Sequence, residues 1–108
     1  MHRPEDPSGA RIPLLLIHRW AAAKRLIITE KATFEHQALG FDADDVADII
    51  ESTDIGCVAS VAQDHRFPER TVVVMHVRME DMRLYIKVSL RLDQDHNATV
   101  LSFHREGS

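Results

Sequence analysis

Tyr85, Lys87 and His104 are the residues of this chain whose types and spacing invite chemistry. Tyr85 and Lys87 alternate with Leu84, Ile86 and Val88 in the run LYIKVSLRL, and His104 lies near the end of ATVLSFHR. Side chains two apart on a strand share a face. Arg83, Tyr85, Lys87, Ser89 and Arg91 therefore stand together, opposite Leu84, Ile86, Val88, Leu90 and Leu92. The second run divides in the same way, with Thr99, Leu101 and Phe103 against Val100, Ser102 and His104. The polar segment DQDHN between them makes an antiparallel hairpin. Matching the apolar faces sets Tyr85 or Lys87 opposite His104, because a one-residue slip would bring Phe103 and Leu101 against Lys87 and Ser89.

A phenol, an ammonium, an imidazole and several guanidinium groups on one face are the groups needed to cleave RNA by acid–base catalysis. The reaction requires a base for the 2′-hydroxyl proton, cations for charge developing at phosphorus, and a donor for the leaving oxygen. His104 is the acid or base by type, since histidine titrates near neutral pH. Tyr85 and Lys87 complete the catalytic set, and Arg83, Arg91 and Arg105 supply positive charge from the same hairpin. His65, Arg66 and His76 are further candidates to contact substrate. The competing reading is that this is the ordinary wet side of a half-buried antiparallel sheet, which is polar without any function.

Other chemistries find less support. The chain has seven histidines, but His65, His76, His96 and His104 show no spacing such as HxxxH or CxxC, so neither a metal nor a cofactor is expected. The acidic segment DQDHN is too short for a calcium loop and lacks its glycine. Cys57 is the single cysteine; it has no evident base to activate it and reads as a small hydrophobe in a reducing, cytoplasmic setting. A net charge of −4 argues against a general nucleic-acid coat, so any phosphate contact must come from a local patch. The early apolar run LLLI, residues 14–17, is too short for a membrane span, and no membrane partner is expected.

The elements that must position these groups follow from punctuation and period. At 108 residues the chain reads as one domain, with residues 1–12 a mobile arm rich in proline and glycine and residues 13–108 the folded part. Pro13 suits the start of a helix, and Leu14, Ile17 and Ala21 with Leu16, Trp20 and Ala23 give it a broad apolar stripe to about Arg25. LIIT, residues 26–29, is a brief strand or an extended link. Thr29 caps a second helix ended by Gly40. Asp42 begins a third, with Asp45 as an imperfect capping box and Val46, Ile49 and Ile50 as its apolar face. Then the period changes: GCVASV is a strand, QDHRFPE a turn, RTVVVMHVR a strand and MED a turn before the hairpin. The expected class is α+β, with helices on one face of a three- to four-stranded antiparallel sheet. The exposed edges of so small a sheet also allow a homodimer.

The run ATFEHQALGFDADDVADIIESTD, together with LYIKVSL and TVLSFH, resembles the MqsR family, the toxin half of bacterial type II toxin–antitoxin modules. The resemblance covers roughly residues 14–104. It implies a RelE-like fold and a metal-independent, ribosome-independent mRNA endoribonuclease, held inactive by a cognate antitoxin protein. The family's tyrosine in LYIK corresponds to Tyr85, its following lysine to Lys87, and the basic residue after SF to His104. The central motifs differ. The lysine of the family's DFYKS falls on Cys57, and its QDVY falls on Val72, Val73, Val74 and Met75. These departures imply the alternative of a weakened or inactive module that acts by binding a protein partner.

Overall fold

The computed structural model describes residues 9–93 and 98–107. Most of the expected N-terminal arm, residues 1–8, and the hairpin-loop residues 94–97, including His96, lie outside them. Over the described residues the fold is α+β, with three α-helices and one five-stranded mixed sheet.

Helix α1 spans Arg11–Ala22. It begins two residues before the expected start at residue 13, and Ala10 is already buried. Pro13 sits within the first turn, where no helical N–H is needed. Leu14, Ile17, Trp20 and Ala21 form the buried stripe. The helix stops short of Arg25 because Lys24 turns into the left-handed region at φ 59°. The amides of Lys24 and Arg25 then close back onto the carbonyls of Ala21 and Trp20, and the Arg25 guanidinium lies 5.2 Å from the Trp20 ring.

Ile27–Ile28 form strand β1, and helix α2 follows over Glu30–Ala38. Thr29 caps α2 by accepting from the Ala32 amide at 3.1 Å, and Gly40 takes the positive φ of 86° that ends it. Helix α3 is Ala43–Glu51. Its capping box forms in both directions with Asp where Glu is usual: the Asp45 amide donates to Asp42 at 2.8 Å, and the Asp42 amide to Asp45 at 3.0 Å.

A 3-10 turn, Ile55–Cys57, leads into strands β2 (Val58–Gln63), β3 (Thr71–Arg78), β4 (Arg83–Leu90) and β5 (Thr99–Arg105). Their order is β1-β5-β4-β3-β2. The four long strands are antiparallel neighbours, and β1 adds a parallel pairing of Ile27 with Thr99 and Ile28 with Val100. The expected all-antiparallel sheet of three or four strands is thus corrected by this two-residue fifth strand.

One sheet face buries Val73, Met75, Leu84, Ile86, Val88, Val100 and Phe103 together with Ile17 and Ile50 from the helices. Helix α2 does something else: it lies along β5 beyond the end of β1. There the Phe103 amide, which has no strand to pair with, donates to Glu35 Oε1 at 2.8 Å. Lys31 Nζ donates both to Glu35 at 2.9 Å and to Ser102 Oγ at 3.0 Å. A carboxylate and an ammonium on one helix face therefore close an open sheet edge. Burial alone would push the Glu35 carboxyl up, but the Phe103 amide and the Lys31 ammonium outweigh it and hold the group below the usual glutamate range.

Candidate functional site

The solvent face of the sheet is assembled by register. β3 and β4 pair His76 with Tyr85, Val74 with Lys87 and Arg78 with Arg83. β4 and β5 pair Tyr85 with His104 and Lys87 with Ser102. Of the two expected partners of His104, Tyr85 and Lys87, the register selects Tyr85, and it adds His76 on the other side of the tyrosine.

The three rings touch. Tyr85 and His104 stack at 4.9 Å between centroids and 17° between planes, and His76 meets Tyr85 edge-on at 5.8 Å and 87°. Each histidine is anchored through Nδ1. His76 Nδ1 lies 2.8 Å from Glu106 Oε2, and His104 Nδ1 lies 3.2 Å from the Arg105 carbonyl. A carboxylate and a carbonyl can only accept, so Nδ1 carries the proton in both rings. Nε2 is then the basic nitrogen of each neutral imidazole. Glu106 is itself fixed by its amide, which donates to the Arg83 carbonyl at 2.7 Å. The result is a tyrosine flanked by two oriented imidazoles about two strand spacings apart, ~10 Å at the backbone.

Cations surround this cluster. Arg83 and Arg78 are directly opposed, exposed neighbours at one end. Like charges in such a pair repel, and Arg83 Nε is only 3.9 Å from Glu106 Oε1. Lys87 stands at the other end and forms no ion pair with any described residue. It lines a groove of about 410 Å³ with His65 and Arg66 on the rim and Val72, Val74 and Leu101 beneath. His65 and Arg66 reach the groove on the loop between β2 and β3, held by Asp64. The Phe67 and Arg66 amides bond to Asp64 and hold its carboxyl below the ordinary aspartate range; burial opposes this, and the charges of His65 and Lys87 add to it.

Two expected members are elsewhere. Arg91 lies past the end of β4, where its Nε is 3.5 Å from Asp93. Arg105 is the cross-strand partner of Leu84, which puts it on the register of the opposite face. Strand β4 also ends before Leu92, which is 45% exposed and not part of the core. On β5 the strict alternation fails. Val88 pairs with Val100 and Lys87 with Ser102, so Leu101 is an extra residue, a bulge. Bulges re-aim side chains. This one sends Val100 into the core and Leu101 to the groove, the reverse of the assignment that alternation gives. Ser89, expected on the polar face, is covered by Arg70, which donates to its hydroxyl and carbonyl.

Glu106 and Arg78 join the site without having been expected from residue type. The signal for both was cross-strand register, which depends on the turn lengths and on the bulge. Cys57 is half-buried, with its thiol 3.7 Å from Asp54. His36 is a satisfied core histidine bonded to the Phe41 carbonyl at 2.8 Å. Among the described residues no group of three or more His, Cys, Asp or Glu is arranged to hold a metal ion, and no helix is long and apolar enough to cross a membrane. No protein-family model matches the chain. No curated protein matches it at a significant level.

Proposed function

We propose that the face built on His76, Tyr85 and His104 is a metal-independent endoribonuclease site, and that the protein is the toxin of a type II toxin–antitoxin module. The observation that carries the reading is the ring cluster itself: two imidazoles, each with Nδ1 anchored and Nε2 left basic, on either side of a phenol. Short motif resemblance to the MqsR family supports the same reading. The α+β order, with helices ahead of a run of four antiparallel strands, is compatible with the RelE-like fold that the resemblance implies.

Single-stranded RNA laid across the face places its scissile phosphate over Tyr85. One imidazole takes the 2′-hydroxyl proton while the 2′-oxygen bonds to phosphorus. The P–O5′ bond breaks, and the other imidazole, in its protonated form, gives its proton to the leaving oxygen. The products are a 2′,3′-cyclic phosphate and a 5′-hydroxyl. Lys87 and Arg83 offset the charge gathering on the phosphoryl oxygens, and the Tyr85 hydroxyl orients the phosphate. Glu106 acts through His76 as a positioning residue. A cognate antitoxin protein would cover this face.

A second reading has a specific observation behind it. Val72 puts an aliphatic side chain on the face where the glutamine of the family's QDVY motif would stand. A module that binds a protein partner without cutting fits that substitution. Incubation of the protein with single-stranded RNA and EDTA, beside Tyr85→Phe and His104→Ala, separates the two. Cleavage by the wild type that both substitutions depress supports the enzyme; no cleavage, or equal cleavage by all three, leaves the binding module.

A further inference from the structure

We infer that the groove beside Lys87 seats one unpaired base of single-stranded RNA, that of a nucleotide adjacent to the phosphate over Tyr85. The inference rests on the ribonuclease reading for its neighbour, and it goes beyond that reading by assigning a base subsite. Three observations carry it. First, the groove floor is aliphatic although it lies on the solvent face: Val72, Val74 and the bulged Leu101 are all half-buried there. An alternating strand would have turned Leu101 inward, so the bulge itself builds the floor. Second, three basic side chains, Lys87, His65 and Arg66, line the groove with that floor, and the one carboxylate among them, Asp64, is tied to the Arg66 and Phe67 amides. An apolar seat flanked by these basic groups matches a base with its flanking phosphates better than it matches an aliphatic or acidic side chain.

Third, the loop that carries His65 and Arg66 also exposes an aromatic ring. Phe67 is 49% exposed, and the Arg66 guanidinium lies 5.8 Å from its ring. An exposed aromatic with a cation beside it is a stacking platform for a base, tolerant of sequence. The groove volume of about 410 Å³ falls at the low end of small-molecule sites, ~300–1,000 Å³. Lys87 is two residues along β4 from Tyr85, about 7 Å, so a base in the groove and a phosphate over the tyrosine belong to neighbouring positions on one strand. Gln63, whose side-chain amide nitrogen donates to the Pro68 carbonyl at 2.8 Å, also lines the groove.

The test uses binding, so that it does not depend on cleavage. A 2′-O-methyl heptanucleotide, which has no 2′-hydroxyl to attack, is titrated with the full chain and followed by fluorescence anisotropy. A single abasic residue is then walked through each position. The expected result is one position at which removing the base weakens binding about tenfold. Val74→Asp should weaken the parent oligonucleotide similarly and remove the difference between parent and abasic forms. Phe67→Ala, on an exposed loop that leaves the core untouched, repeats the measurement with a variant that cannot fail by misfolding of the sheet. RNA binding with no position sensitive to base loss, or with a sensitive position that neither variant affects, overturns the inference while the ribonuclease reading stands. A coupled loss in a protein that cuts no RNA upholds the base subsite and overturns the ribonuclease. Absence of any RNA binding overturns both.

Discussion

Glu35 holds the edge of β5 on which His104 stands, and replacing it tests whether that edge is what sets the site. In Glu35→Ala the buried Phe103 amide loses its acceptor, and Lys31 loses its closer partner. A buried amide left unsatisfied costs about 1–3 kcal/mol, and the mostly surface ion pair adds a few tenths at most. A loss of about 2 kcal/mol corresponds to a fall of roughly 10 °C in Tm for a domain of this size. Amide exchange should quicken at Phe103 and His104 and stay slow at Ile86 and Val88, which are held between strands. Glu35→Gln keeps an acceptor but loses the charge, so its cost is smaller and depends on pH. Because the folded carboxyl is held below its ordinary value, the ionised form stabilises the fold. That contribution is complete above the unfolded glutamate value, ~4.3, and is lost as pH falls through the lower folded value. The wild type's advantage over Glu35→Gln should therefore hold from pH 7 to about pH 5 and vanish under stronger acid. Circular-dichroism melts across that range measure it. A Tm for Glu35→Ala within about 2 °C of wild type, or exchange that rises equally across β3, β4 and β5, would refute the edge argument.

Three further outcomes follow from the same geometry. Asp42→Ala removes one arm of the capping box on α3 and should cost about 1 kcal/mol in urea melts, with an unchanged m-value. Lys87→Met should weaken RNA binding and lower the slope of log K against log salt by about 0.7, the share of one phosphate contact on a single strand. Phe103→Ala empties the centre of the core, where the ring meets His36 and Phe41 edge-on, and should cost about 3–5 kcal/mol, enough to leave little folded protein.

Much of this arrangement was legible in residue types. Alternation in LYIKVSLRL placed Tyr85 and Lys87 on one face, and the Thr29, Gly40 and Asp42 punctuation marked where α2 starts, where it stops and where α3 starts. What escaped was set by contacts between distant segments. Ile27–Ile28 became a strand because β5 offered an open edge, and two β-branched residues do not reveal that alone. The bulge at Leu101 cannot be read from TVLSF, where every residue suits a strand; it exists because Val100 and Phe103 both fill the core with one residue too many between them. That single insertion exchanged the faces of Val100 and Leu101 while leaving His104 opposite Tyr85. His76 and Arg78 could join the site only once the turn at Met79–Met82 fixed the register of β3 on β4. Arg91 was placed by alternation carried past the end of β4, where it no longer held; Arg105 was grouped with the site by belonging to the hairpin, although its place on β5, opposite Leu84, is on the other face.

The central claim is that two oriented imidazoles beside Tyr85 cut RNA. Its most direct test is the single-turnover rate of cleavage of a single-stranded RNA, in EDTA, by wild type, His76→Ala and His104→Ala, with RNA binding measured alongside. The expected outcome is a 2′,3′-cyclic phosphate product and a fall in rate of about 10²–10⁴ for each variant, with binding little changed. A wild type that leaves the RNA intact, or histidine variants that cut as fast as wild type, would contradict it.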